Sequence, residues 1–249
     1  MKFSLVIPAY DEGATIESVV RGVVRVLRRD KFDFEVVVVD NGSTDNTAEI
    51  LAALKKEMAE VKTVRVFPNR GYGNGFLTGL SNSSGEILGW MHADSQVDPE
   101  KIPALYNKLL SEDLDLCRAV RIERKESFFR IVQSRAYNTL FRLLFGGRHR
   151  DINGSPKIFK RAFYERLNLF SRDWFLDPEL MIKAMRIGSK IGEVEIYWDA
   201  RKGGPSHVSL LTALEFLKNL LKYRFFSKGL LNINEKQRSL NSASSLRFP

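Results

Sequence analysis

Three short polar clusters in the first hundred residues carry side chains able to do chemistry: Pro8-Ala9-Tyr10-Asp11-Glu12, Asp40-Asn41-Gly42-Ser43 and His92-Ala93-Asp94-Ser95-Gln96. Each follows a run of apolar residues. One polar cap after a strand is ordinary, because every strand-to-helix turn needs groups that satisfy the first helical amides. Three carboxylate-bearing caps on successive strands point instead to a shared cleft, since ligands of open parallel sheets bind beyond the carboxyl ends of the strands.

The third cluster is the most specific. His92, Asp94 and Gln96 alternate, and in an extended segment alternate side chains share a face. An imidazole, a carboxylate and an amide oxygen on one face could hold a hard divalent cation beside a pyrophosphate. Mg²⁺ needs only one or two protein oxygens plus phosphate, and Mn²⁺ accepts imidazole more readily. A hydrogen-bonded strand-end histidine is an equally ordinary reading of His92. Between the second and third clusters lies Gly71-Tyr-Gly-Asn-Gly75. Its glycines permit positive φ and could bring backbone amides close to a phosphate. It does not match the dinucleotide fingerprint, and the Walker A lysine pattern is absent.

The elements that must position these clusters can be read from periodicity. Ser4 to Pro8 is a short apolar run. Ile16, Val19, Val20, Val23, Val24 and Leu27 form the stripe of an amphipathic helix. Glu35 to Val39 is a continuous β-branched run of the kind buried in a parallel sheet. A helix over about 47–60, a strand over 61–67, a short helix after the glycines, a strand over 86–91, a helix over 99–111 and a strand over 114–119 continue the alternation. The expected fold is α/β, a doubly wound and mostly parallel sheet. Beyond Val120 helices are expected over 159–169 and 178–187, a strand over 190–198, and two amphipathic helices. One has Phe128, Phe129, Val132, Ala136, Leu140, Leu143 and Leu144 as its apolar stripe, beside Arg130, Arg135 and Arg142. The other has Leu210, Leu214, Leu217, Leu221 and Phe225, beside Lys218, Lys222 and Arg224. The tail from about Asn232 is polar and Ser-rich, a composition that favours disorder.

The chain has 249 residues and a net charge of +9. Residues 118–150 and 201–249 each carry +7, leaving a mildly acidic remainder. That asymmetry fits an anionic partner met by particular segments. Because the basic segments are also apolar, they read as helices for a membrane interface and not as a nucleic-acid module. Packing of the same stripes on the core or on a second subunit is the competing reading. The start has no apolar segment with a cleavage site, and no apolar run reaches about 18 residues. A cytosolic protein, or one lying on a membrane, is expected. The single cysteine, Cys117, reads as a buried small hydrophobe.

These motifs resemble, in order and spacing, those of the family 2 glycosyltransferases of GT-A fold, and most nearly the polyprenyl-phosphate (dolichyl-phosphate) mannose and glucose synthases. The resemblance rests on VIPAYDE, VVDNGSTDNT, GYGNG, HADSQ, Asp151-Ile-Asn-Gly-Ser-Pro, Phe175-Leu-Asp-Pro-Glu179 and Trp198-Asp-Ala-Arg201-Lys-Gly-Gly-Pro-Ser206, over roughly residues 3–207. It implies a glycosyltransferase domain over 1–207 with a basic insertion at about 121–150, a basic amphipathic helix over 208–231 and a tail over 232–249. It also implies roles. Pro8, Ala9, Tyr10 and Glu12 would line the nucleoside pocket. Asp40 and Asn41 would read base and ribose. Asp94 would be the principal ligand of Mg²⁺ or Mn²⁺, with His92, Ala93 and Gln96 beside it. Arg118 or Arg121 would meet an acceptor phosphate, Arg201 and Ser206 would close over the phosphates, and Asp151 and Glu179 would lie near the reacting atoms. The expected substrates are a GDP- or UDP-hexose and a polyprenyl phosphate. A soluble acceptor, or a nucleotide-sugar-binding module without turnover, are the alternatives. Two positions depart from the family pattern: His92 stands where Asp is usual, and His207 where Lys is common.

Overall fold

A computed structural model describes residues 1–122, 128–198 and 210–226, with side chains described for most of these. The element order is β1 (Phe3–Ala9), α1 (Ile16–Arg29), β2 (Phe34–Asp40), α2 (Thr47–Glu57), β3 (Val61–Arg65), α3 (Tyr72–Ser81) and β4 (Ile87–Trp90). A 3₁₀ turn at Pro99–Lys101 leads into α4 (Ile102–Ser111). Then follow β5 (Leu116–Ile122), α5 (Phe128–Phe145), β6 (Lys157–Lys160), α6 (Arg161–Leu167), α7 (Leu176–Arg186), β7 (Ile191–Tyr197) and α8 (Leu210–Phe226).

The β-branched run of β2 is buried along its whole length because both faces of the sheet are covered. Alternation along β1 divides the core. Leu5 and Ile7 point to one side with the α1 residues Val20 and Leu27, and Val6 points to the other with Phe76 of α3 and Leu180 of α7. The seven strands run in the order β3-β2-β1-β4-β6-β5-β7. Pairs β3–β2, β2–β1, β1–β4 and β5–β7 are parallel, while β6 is antiparallel to both its neighbours.

The expected doubly wound sheet is therefore present, and β6 is the strand that periodicity does not reveal. The pattern predicts a helix over 159–169, but residues 157–160 are a strand and only Arg161–Leu167 is helical. A four-residue strand is too short to show a period of its own. Its direction matters for the cleft. An antiparallel strand brings its first residue, Lys157, level with Trp90 at the end of β4 and with Arg118 of β5.

Cys117 is fully buried, and burial pushes its thiol up to about 12, as suits a packing residue.

Candidate active site

The three polar clusters meet. Ala9 and Asp40 are paired in the β1–β2 register, so the loops leaving those strands begin side by side. Asp11, held at φ +53, accepts the Thr44 amide at 2.7 Å, and the Asp11 amide donates to Ser43 Oγ at 3.1 Å. The Glu12 amide donates to Thr47 Oγ1 at 3.0 Å. The third loop joins through Thr15, whose hydroxyl donates to the Ala93 carbonyl at 2.8 Å and lies 3.0 Å from Glu12 Oε2. Glu12, Asp40 and Asp94 thus belong to one bonded rim.

Two acceptors on that rim lack hydrogen-bond partners among the described residues. Asp40 gives Oδ1 to the Ser43 amide at 2.9 Å, while Oδ2 is buried without a hydrogen bond, 3.4 Å from Arg65 Nε. Asn41 donates through Nδ2 to the Gly71 carbonyl at 2.9 Å, leaving Oδ1 buried and unmatched. Buried acceptors of this kind are costly unless something donates to them. Ribose hydroxyls and the ring N–H of uracil or guanine are donors of the right kind. Ala9 is fully buried beneath this rim, and Pro8 and Tyr10 are half-buried at its edge.

The expected straight line of His92, Asp94 and Gln96 holds only for its first two members. Ser95 takes φ +57, and the Gln96 amide folds back to donate to Asp94 Oδ1 at 3.2 Å. The Gln96 backbone thus serves the Asp94 carboxylate, and the extended alternation ends at Ser95. Asp94 Oδ2 keeps no protein partner among the described residues. Among the described residues no three His, Cys, Asp or Glu side chains gather into a metal cage. A site with Asp94 and His92 as protein ligands suits a hard cation that takes its other ligands from a diphosphate.

The glycines of Gly71-Tyr-Gly-Asn-Gly75 are required by close packing. Gly71 has φ +99, as its cap position requires. A Cβ on Gly73 would stand 2.4 Å from the Ser171 carbonyl, and one on Gly75 would stand 2.8 Å from Pro8 Cβ. Three of the local amides are spent internally: Gly71 on Asn69 Oδ1 at 2.8 Å, Asn74 on the Arg172 carbonyl at 2.9 Å and Gly75 on the Gly71 carbonyl at 3.4 Å.

The acceptor side differs from expectation at two residues. Arg118 has no exposed surface. It donates to the Asp151 carbonyl and to Glu193, both at 2.6 Å, and to the Arg150 carbonyl. It is a brace for the 150–151 turn, not a contact for an acceptor. Glu179 is also fully buried. It accepts the Ser171 amide at 2.8 Å and pairs with Lys183 at 2.6 Å, so it anchors the 168–173 loop. Arg121 remains at the cleft. Its Nε and its backbone N–H reach Asp151 Oδ2 at 2.8 and 2.9 Å, and its guanidinium lies 4.9 Å over the Trp198 ring. Asp151, at φ +54, is thereby engaged as the partner of Arg121. The opposite side of this contact leads back to the metal motif, because the Trp198 ring meets His92 edge-on at 6.5 Å. Arg201, Ser206 and His207 lie outside the described residues.

A polar chain behind His92 is not visible in the sequence. His92 Nε2 lies 2.9 Å from Tyr72 Oη, which donates to Asp177 Oδ2 at 2.7 Å. Asp177 Oδ1 accepts from the fully buried Lys157. Burial lowers the pKa of His92 against the opposing pull of Asp94 and Asp177, so the imidazole is neutral at neutral pH. Burial raises the Tyr72 phenol, and Asp177 raises it further. Tyr72 and Asp177 both fall inside motifs the sequence displays, GYGNG and FLDPE, but nothing local indicates that they meet.

The fold is that of a glycosyltransferase of GT-A type. The chain matches the family model "Glycosyl transferase family 2" over residues 4–173, and it belongs to that family. It is 28% identical over 223 residues to an undecaprenyl-phosphate 4-deoxy-4-formamido-L-arabinose transferase of Serratia proteamaculans, covering 88% of this chain and 67% of that one. It is 29% identical over 221 residues to glycosyltransferase AglD of Haloferax volcanii, covering 85% of this chain and 35% of that one. Among solved structures, glucosyl-3-phosphoglycerate synthase from Mycobacterium tuberculosis, in complex with Mn²⁺, UDP-glucose and phosphoglyceric acid, superposes with a TM-score of 0.71. That match has 21% identity and covers 89% of this chain and 79% of the other, a likeness of fold.

Proposed function

We propose that this protein transfers a sugar from a nucleotide diphosphate sugar, a GDP- or UDP-hexose, to a polyprenyl phosphate at the cytosolic face of a membrane. The convergence of the three strand-end loops carries the reading. It sets two buried acceptors that make no hydrogen bond among the described residues, Asp40 Oδ2 and Asn41 Oδ1, on the same rim as Asp94 and His92. The names of the relatives supply the acceptor class, since those from Serratia and Yersinia are undecaprenyl-phosphate transferases.

In this mechanism Asp40 and Asn41 would hold the nucleoside, and Asp94 with His92 would hold Mg²⁺ or Mn²⁺. When bound, the cation neutralises charge on the departing nucleoside diphosphate. An acceptor phosphate oxygen attacks the anomeric carbon, the bond from that carbon to the β-phosphate oxygen breaks, and the configuration inverts. The nucleophile is already an anion, so no side chain needs to take its proton. Arg121, its guanidinium held by Asp151 and Trp198, would be the cation that meets the acceptor phosphate.

The membrane surface fits helices α5 and α8. Each turns one face inward: Phe141 and Leu220 are fully buried, and Tyr137 meets Phe216 at 5.2 Å. The stripes read from the sequence are divided: Leu140 and Leu144 pack against the core, while Val132, Leu143, Leu217, Leu221 and Phe225 stand outward. Val132 is 45% exposed, Leu143 79%, Leu217 40% and Phe225 64%, with Arg135, Lys218 and Lys222 exposed near them. Apolar side chains rimmed by cations suit an anionic bilayer surface. No helix among the described residues is long and apolar enough to cross a membrane.

The test is incubation with UDP-glucose or GDP-mannose, Mn²⁺ and a polyprenyl phosphate in vesicles, with lipid-linked sugar and free nucleoside diphosphate measured together. Equimolar appearance of both supports the reading. Sugar transfer only to water-soluble acceptors would overturn the lipid part of it.

A further inference from the structure

The hydrogen bonds of the polar chain behind the cleft fix a feature of His92 that neither the motif nor the fold family specifies. Lys157 donates to Asp177 Oδ1 and, at 2.7 Å, to the Gly154 carbonyl, so Asp177 is a carboxylate paired with a buried ammonium. A carboxylate only accepts. The Tyr72 hydroxyl has one proton, and it goes to Asp177 Oδ2 at 2.7 Å. The Tyr72 oxygen can then only accept from His92 Nε2, 2.9 Å away, so Nε2 carries the imidazole hydrogen. The Nδ1 lone pair has no hydrogen-bond partner among the described residues. The Tyr72 ring is itself fixed, stacked 4.3 Å from Trp174 and edge-on to Phe76 at 5.0 Å.

We infer that Tyr72 and Asp177 are positioning residues that hold His92 as its Nε2–H tautomer and so present the Nδ1 lone pair to the cation bound by Asp94. The inference rests on the proposed metal role of Asp94 and His92. A ligating histidine is usually oriented through its other ring nitrogen by such an outer partner. Here a neutral phenol passes on the orientation set by a buried ion pair. This gives a physical account of a histidine standing where the family pattern has a carboxylate: a neutral ligand works there because its lone pair is aimed in advance.

Two measurements test it. Long-range ¹⁵N–¹H NMR of the histidine rings in the metal-free protein, with His92→Gln used for assignment, should show His92 hydrogenated at Nε2. Hydrogen on Nδ1 instead would overturn the inference whatever the metal does. In the second, Mn²⁺ affinity is measured by the EPR signal of the free ion, with UDP or GDP present. Tyr72→Phe keeps the stacked ring and should weaken Mn²⁺ binding about 10- to 100-fold. On a His92→Ala background the same change should do nothing further, because Tyr72 acts through His92. An equal loss on both backgrounds overturns the coupling. Failure of the parent protein to bind Mn²⁺ at all overturns the metal reading as well, which keeps the two failures apart.

Discussion

The hydroxyl of Thr15 donates to the carbonyl of Ala93 at 2.8 Å, and that bond ties the loop after β1 to the loop after β4. These loops are 78 residues apart in the chain. The contact makes one site out of clusters that sequence shows only as three separate caps.

Asp94 is the residue on which the metal reading turns. Asp94→Ala should lower transferase turnover by about 10³-fold, the loss expected when a Lewis acid contributing several kcal/mol is no longer held. Asp94 is half-buried, and its carboxylate accepts the Gln96 amide, a local bond within one turn, so the unfolding midpoint should move little. Steady-state rates with urea denaturation of the same variant check both halves.

Glu179 should behave in the opposite way. Replacing it with Gln keeps an acceptor for the Phe170 and Ser171 amides but removes the charge opposite Lys183, which is itself buried. Unfolding free energy should fall by roughly 1–3 kcal/mol. Turnover by the folded fraction should stay within a few-fold. A hundredfold or greater drop in turnover, with stability intact, would return Glu179 to the chemistry.

Glu35 sets a pH limit on stability. Burial opposes its ionisation, but Lys62 and the Ser4 and Ser84 donors outweigh that and bring its pKa down to about 2. A carboxylate with a depressed folded-state pKa stabilises the fold above its unfolded value of about 4.3. That stability is lost as pH falls through about 2. Urea midpoints should therefore decline between about pH 5 and pH 2, and Glu35→Gln should flatten that part of the curve while lowering the plateau.

The outward rows of α5 and α8 predict partition. Leu143→Glu with Phe225→Glu should release the protein from anionic liposomes in co-sedimentation, with at least a tenfold weaker partition, since each side chain loses on the order of 1 kcal/mol of apolar transfer. Both positions are exposed, so melting temperature should hold.

How much of this is legible in sequence depends on distance along the chain. The stripe of α1 and the run of β2 announce themselves because their periods are local, and the three rim clusters follow as strand ends. β6 does not, being four residues of an antiparallel strand whose cleft end is its first residue, Lys157, and not its last. A search for polar groups after strands therefore passes over Lys157, although it lies level with the end of β4. Arg118 and Glu179 mislead for a related reason. Motif position puts both near the chemistry, and only three-dimensional packing shows Arg118 closed in by Glu193 and the 150–151 carbonyls, and Glu179 by Lys183 and the 170–171 amides. The glycines of α3 are conspicuous in sequence, but their purpose, contact with Pro8 and the 171–173 carbonyls, needs the partner segments to be in place.

The exposed rows of α5 and α8 also bear on how catalytic speed should scale. With Leu143, Phe225, Arg135 and Lys222 exposed on these helices, a protein working from a bilayer meets its acceptor in two dimensions. Its velocity then tracks the mole fraction of acceptor within the lipid sheet, not the amount per millilitre. Adding inert phospholipid while total acceptor stays constant should slow the reaction by surface dilution alone.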